Sequence, residues 1–275
     1  MKLYLKNVVC LCWWLALPSP FVHAETKITF APGVMNFDYV ETSVDGSFLD
    51  GEHGDIPGIK LSIEANDDPA FTLGLALEYF AGNVDYDGQI GSFDARYNGL
   101  PLSTTTDQKI FSFSTFINQQ VVYSPNVFFY GNLTYKKWER DIQATTASGI
   151  DNFGDPFTNL YVSGLYEVYK WWQVTLGVLT KIPVFKDTEL KLQAGVLRTI
   201  NPEMDLTFYT FELQEDWGYE GELALFYRVD HWQRVGFSGS IMSWKFGKSD
   251  VVAGFFEPDS ESEMITIQLI YERDL

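Results

Sequence analysis

Cysteine is almost absent: of 275 residues only Cys10 and Cys12 are cysteines, and both lie in the first 24. The rest of the chain can build neither a disulfide framework nor a thiolate metal site. Histidine is nearly as scarce, with only His53 and His231 after residue 24, which leaves little material for a nucleophile–histidine pair. Basic residues are few as well. Against 37 Asp and Glu stand 19 Lys and Arg, a balance that argues against nucleic acid or polybasic membrane attachment. Beyond residue 24 no apolar run approaches the ~18–20 residues of a membrane-spanning helix.

The first 24 residues stand apart. MKLYLKNVVCLCWWLALPSPFVHA carries Lys2 and Lys6, then an apolar stretch, then small Ala24, the layout of a cleaved secretory signal. Neither cysteine is preceded by the small residue a lipoprotein signal needs. Cleavage leaves residues 25–275 as one domain, with 17 basic residues against the 37 acidic ones and a net charge of −20.

What the remaining chain has in abundance is aromatic residues, 16% overall, set in runs that alternate with period two. IKLSIEA places Ile59, Leu61 and Ile63 on one face and Lys60, Ser62 and Glu64 on the other. AFTLGLALEYF repeats the pattern with Phe71, Leu73, Leu75, Leu77 and Tyr79. Such alternation marks strands with one apolar face. Twelve segments read this way, at 28–41, 58–66, 70–80, 108–121, 126–138, 157–169, 172–182, 188–199, 203–213, 218–229, 232–246 and 262–272. Short and long connections alternate between them, among them tight turns at SPN, KWW and NPE. The pattern predicts an all-β, transmembrane, up-and-down antiparallel barrel of about twelve strands, with short periplasmic turns and longer extracellular loops.

Tryptophan position bears on which face is outside. Trp171, Trp172 and Trp232 fall at expected short turns, and Trp138, Trp217 and Trp244 at strand ends entering long loops. Two such bands match the interfacial rings of a membrane barrel, where an indole keeps its ring in lipid and its N–H near the head groups. With the signal sequence, the alternating segments and the closing strand SEMITIQLIYERDL, the chain resembles bacterial outer-membrane β-barrel proteins over nearly all of residues 25–275. The resemblance implies export to the outer membrane of a Gram-negative cell. Its implied partners are outer-membrane lipids, lipopolysaccharide and the barrel-assembly machinery. The family's usual terminal aromatic is replaced here by Leu275, with Tyr271 the nearest ring.

If the apolar faces meet lipid, the lumen receives Lys60, Glu64, Glu78, Lys136, Arg140, Glu167, Lys181, Lys191, Glu220, Glu222 and Arg228. Asn132, Thr134, Thr266 and Gln268 join them, with Asp38 and the rings Tyr130, Trp138, Tyr161 and Tyr209. Mixed charges in a narrow interior read either as a paired plug or as the lining of a small water-filled pore. Both are non-catalytic: a narrow channel for small solutes, or a structural surface protein.

An enzymatic alternative rests on omptin proteases, which the chain resembles in one Asp-x-Asp pair, Asp85 and Asp87 in VDYDG. The omptins' second pair, Asp-x-His, is matched only by the adjacent Asp230 and His231, and His53 in LDGEHGD is a weaker stand-in. The acidic loops follow no calcium-loop spacing. They predict no dedicated cofactor, only loose bridging of Ca2+ or Mg2+ to neighbouring phosphates.

Overall fold

Alternation that continues well past one membrane crossing gives long strands. The computed structural model describes residues 25–43, 46–68, 70–92, 94–207 and 209–275, so the expected signal segment lies outside the described residues. The strands in chain order are β1 (Glu25–Thr42), β2 (Phe48–Asp68), β3 (Phe71–Gln89), β4 (Pro101–Val121), β5 (Ser124–Ile142), β6 (Thr145–Ile150) and β7 (Pro156–Val162). There follow β8 (Leu165–Phe185), β9 (Thr188–Leu206), β10 (Tyr209–Glu212), β11 (Trp217–Arg228), β12 (Gln233–Phe246) and β13 (Asp259–Asp274).

Ten of these close a barrel. From β1 to β5, then β8, β9, β11, β12 and β13, each pairs antiparallel with the next, and β13 pairs back onto β1. Among the described residues the ring of pairings closes with no free barrel edge. Strand β10 adds a short extra rung to β9, and β6–β7 form a separate hairpin in the connection from β5 to β8. Val122–Tyr123, Lys186–Asp187 and the turn at 229–232 make tight turns at one end, which also holds both described termini: Leu275 N–H donates to Thr26 O at 2.8 Å. The longer connections gather at the other end.

The strand number is therefore ten, not about twelve, and the reason is strand length. Strands β2, β4 and β8 each run 21 residues, about twice the 9–11 that cross a bilayer, so cutting the sequence at crossing length divides single strands. KWW is no turn: it lies inside β8, with Trp171 buried and Trp172 facing out. NPE is no turn either. Asn201 (φ 47°) and Pro202 together oppose the single residue Trp171, forming a bulge in β9, a position that tolerates proline's missing donor.

The apolar face changes sides partway along the barrel. On β3 the outward residues are Phe71, Leu73, Leu75, Leu77 and Tyr79, and then Asn83, Asp85 and Asp87. The inward ones are Thr72, Gly74, Ala76 and Glu78, and then Phe80, Val84 and Tyr86. On β1, Ile28, Phe30 and Val34 face out before Asn36 and Asp38, while Met35, Phe37 and Tyr39 are buried inside. Asp38 is thus exposed outside rather than in the lumen. The half nearest the short turns is apolar outside and polar inside, and the half nearest the long loops is built like a soluble barrel.

That second half is filled. Phe37, Tyr39, Ile56, Phe80, Trp138, Tyr169, Trp171, Leu197, Trp244 and Phe246 belong to one buried cluster, each at most 4% exposed. Every barrel strand but β11 contributes to the cluster; β11 places Gly218 against Leu197. Ten strands enclose a wider interior than eight, whose side chains just fill it, and large rings occupy the difference. Trp138 stacks on Tyr169 at 4.7 Å and Trp171 meets Phe246 edge-on at 5.1 Å.

Candidate functional site

The aromatic cluster separates two polar sites. Towards the short turns lies a cavity of about 220 Å3 lined from every barrel strand. Most of its charges are paired: Lys27–Glu64 at 2.7 Å, Lys60–Glu78 at 3.0 Å and Lys191–Glu222 at 3.0 Å, with Arg234 between Glu189 and Glu272. The side chains of Lys60 and Glu78 are 33% and 28% exposed although they point inward, so solvent-sized space reaches them.

Tyr130 crosses this cavity to donate to Glu220 at 2.9 Å, and Thr175 adds a bond to the same carboxylate at 3.2 Å. The Tyr130 ring lies over Gly177 and Gly195, register partners on β8 and β9, where any Cβ would overlap it. Higher up, Lys136 is 2% exposed; its ammonium meets Met242 Sδ at 3.0 Å and the Trp244 face at 5.1 Å.

The second site lies beyond the outer apolar belt, near the long loops. Arg140, 1% exposed, donates from Nη1 to Glu167 Oε2 at 2.6 Å, and from Nη2 to Glu52 Oε1 at 3.1 Å. Its guanidinium also stacks over Tyr39 at 4.3 Å and lies within 4 Å of Glu41 and Asp50. Tyr169 O–H donates to Glu257 Oε1 at 2.6 Å, and Tyr39 to Glu41. Gln108 links Glu52 to the Trp138 indole N–H. Five carboxylates thus surround one guanidinium. Burial, then neighbouring charge, raises Asp50 and Glu257 well above the carboxylate range, and burial pushes Glu167 up to about 7.

The inward residues expected from the sequence fall into these two groups. Lys60, Glu64, Glu78, Lys136, Lys181, Lys191, Glu220 and Glu222 line the cavity. Arg140 and Glu167 point inward but belong to the other site, on the far side of the aromatic cluster. Arg228 is exposed near the short turns and outside the cavity lining. Lys136, Glu220 and Glu222 line the cavity and Arg140 does not, so these four charges share no single site. Tyr161 and Tyr209, expected inside, are 69% and 40% exposed on β7 and β10. Of the six tryptophans expected at membrane interfaces, Trp138, Trp171 and Trp244 are buried inside, while Trp172, Trp217 and Trp232 are exposed.

The residues behind the omptin resemblance do not assemble. Asp85 and Asp87 face outward from β3; His53 Nε2 lies 3.8 Å from Asp85 Oδ2, both more than half exposed. Asp230 and His231 occupy a turn at the opposite end. No group of three or more His, Cys, Asp or Glu among the described residues has the geometry to hold a metal ion. Glu41, Asp50, Glu52 and Glu257 were not legible as site residues. Their signal is the change of apolar side: the inward phase of β1 and β2 runs on unchanged but becomes apolar at Met35 and Ile56.

No known family matches the sequence, and no curated protein does. Solved structures do match. The outer-membrane protease OmpT from Escherichia coli superposes with a TM-score of 0.63 at 12% identity, covering 91% of this chain and 97% of its own. The autotransporter NalP translocator domain from Neisseria meningitidis gives a TM-score of 0.41 at 8% identity, covering 96% and 94%. OprG from Pseudomonas aeruginosa gives 0.37 at 10%, covering 92% and 97%. The closed antiparallel barrel of this chain is similar in fold to outer-membrane β-barrels, an omptin among them.

Proposed function

We propose that the chain is an integral, non-catalytic barrel of the Gram-negative outer membrane, closed to through-flow of solute and open only towards the periplasm. The belt of outward Leu, Ile, Val and Phe near the short turns meets lipid, flanked by Trp172 and Trp217 above and Trp232 below. The half beyond the belt projects outside the cell. Export by a cleaved 1–24 segment, insertion by the barrel-assembly machinery and contact with lipopolysaccharide accompany this reading.

One observation carries the closed state: the buried hydrophobic cluster, drawn from nine of the ten barrel strands with its rings from five of them, lies between the two polar sites. Single-channel recording in planar bilayers tests it. The wild-type chain gives no conductance steps, whereas Trp138→Ala combined with Trp171→Ala gives them. Steps from the wild type would return the narrow-pore reading. The similarity to OmpT extends to fold, and a protease reading needs Asp85 and His53 to act from an outer wall where both side chains are more than half exposed.

A further inference from the structure

The connection from β12 to β13, residues 247–258, folds back on itself as a small hairpin. Ser249 N–H donates to Glu257 O at 3.0 Å, and Val252 and Phe255 exchange two backbone bonds at 2.7 and 2.9 Å. Ala253 and Gly254, at φ 53° and 91°, turn its tip. Its base is tied down twice: Gly247 pairs with Gln214, and Lys248 N–H donates to Asp259 Oδ1 at 2.7 Å. Between these ties one hydrogen bond alone joins the hairpin to the barrel wall among the described residues, from Tyr169 O–H to Glu257 Oε1 at 2.6 Å. Val252 adds an apolar contact with the buried cluster.

That single latch is a carboxyl group in an unfavourable place for charge. Glu257 is buried, and unlike Glu41, Asp50, Glu52 and Glu167 it has no cation within 4 Å among the described residues. Lys248, the hairpin's own cation, lies over the Phe256 ring at 4.2 Å, Asp250 is exposed, and Tyr209 of β10 meets Phe255. The Tyr169 oxygen that holds Glu257 is also 3.4 Å from Glu167 Oε2, so two buried carboxyl groups converge on one hydroxyl. Around them stand Tyr39 and Glu41 of β1, Asp50 and Glu52 of β2, and Arg140 of β5. One guanidinium cannot offset five carboxylates at this depth, and the one without a cation keeps its proton. Burial, then Glu41 and Glu167, accordingly raises the Glu257 carboxyl well above the ordinary range.

We propose that this hairpin is a pH-operated lid on the long-loop end of the barrel: protonated Glu257 latches it to Tyr169, and ionised Glu257 releases it. The sign follows from the two environments. Released into solvent, Glu257 is an ordinary carboxyl; latched, it holds its proton to higher pH. Latching is therefore strongest below the ordinary carboxylate range and weakens about tenfold per pH unit above it, until the latched carboxyl itself ionises. From pH 5 to 9 the change reaches about 10,000-fold, enough to carry a lid from about 1:99 to 99:1 open. Release bares Tyr169 and the Arg140 site, while the aromatic cluster beneath them stays in place. The proposal rests on the barrel reading only for the side of the membrane that the lid faces.

Spin labels on Val251→Cys, exposed on the hairpin, and on Asn83→Cys, exposed on the outer wall of β3, test this by pulsed dipolar distance measurement on the folded chain in detergent. We expect one distance at pH 5 and a second population that becomes the majority by pH 9. Glu257→Gln, whose amide oxygen accepts from Tyr169 at every pH, keeps the pH 5 distance throughout. Tyr169→Phe, which removes the donor, shows the second population already at pH 5. A wild-type distance unchanged from pH 5 to 9 overturns the proposal, as does the same shift in Glu257→Gln. Where Tyr169→Phe does not fold, the wild type and Glu257→Gln decide. Conductance is a separate readout: a conducting chain whose hairpin still moves with pH disproves the closed barrel and keeps the lid.

Discussion

Arg140 Nη1 donates to Glu167 Oε2 at 2.6 Å, joining β5 to β8 above the level where both strands have left the outer apolar belt. This one guanidinium is the only cation within 4 Å of Glu41, Asp50, Glu52 or Glu167 among the described residues. Replacing it by glutamine leaves those carboxylates buried and uncompensated. We expect Arg140→Gln to destabilise the barrel by about 3–5 kcal/mol, measured by reversible urea unfolding in lipid vesicles. A loss below 1 kcal/mol would mean that water already solvates the cluster.

The same cluster makes stability depend on pH with a defined sign. Burial pushes Glu167 up to about 7 and holds Asp50 and Glu257 well above the ordinary carboxylate range. The folded chain therefore binds these protons more tightly than the unfolded chain does. Stability is full below the ordinary carboxylate range, falls as pH rises towards 7, and for Glu167 is flat above it. Unfolding midpoints at pH 5 should exceed those at pH 8, and Glu167→Gln should flatten part of that slope. A rise in stability over the same interval would falsify the assignment.

The change of apolar side along β3 predicts opposite tolerance at two outward positions ten residues apart. Leu75→Arg places a charge in the belt and should cost ~2–4 kcal/mol at bilayer depth. Asp85→Leu, outward but beyond the belt, removes only an exposed pairing with His53, worth at most about 1 kcal/mol. Ala76→Ser, facing the wet cavity, should be mild. Equal tolerance of Leu75→Arg and Asp85→Leu would place the belt elsewhere.

Period-two alternation made the barrel legible, because a strand with one buried face shows it in sequence whichever face that is. Strand number was not, because Trp171 and Trp172 resemble an interfacial pair until their burial separates them: one is 1% exposed and the other 42%. Nothing in KWW breaks a strand; it lacks Gly, Asn and Asp. The lower lumen was legible since Lys60, Glu78, Lys191 and Glu222 sit opposite an apolar outer face. The Arg140 site was not, since the rule that sends apolar residues outward, and with it Asp38 inward, holds only up to about Val34 on β1. A second reading of phase, with Asn36 and Asp38 as the new outer face, exposes Tyr39 and Glu41 as interior residues.

Orientation is the remaining test, and the scarcity of cysteine makes it clean. Residues 25–275 contain none, so each introduced thiol reports one position. Val122, in the β4–β5 turn, is 72% exposed, and Phe153, in the β6–β7 hairpin, is 68% exposed. Exposure is thus matched and only the side differs. In intact cells an impermeant maleimide should label Phe153→Cys and spare Val122→Cys, and permeabilised cells should label both. Labelling of Val122→Cys alone would reverse the barrel and turn the polar cavity towards the medium. The unsubstituted chain serves as a further control: if residues 1–24 are cleaved, Cys10 and Cys12 leave with them and a denatured sample takes up no label at all.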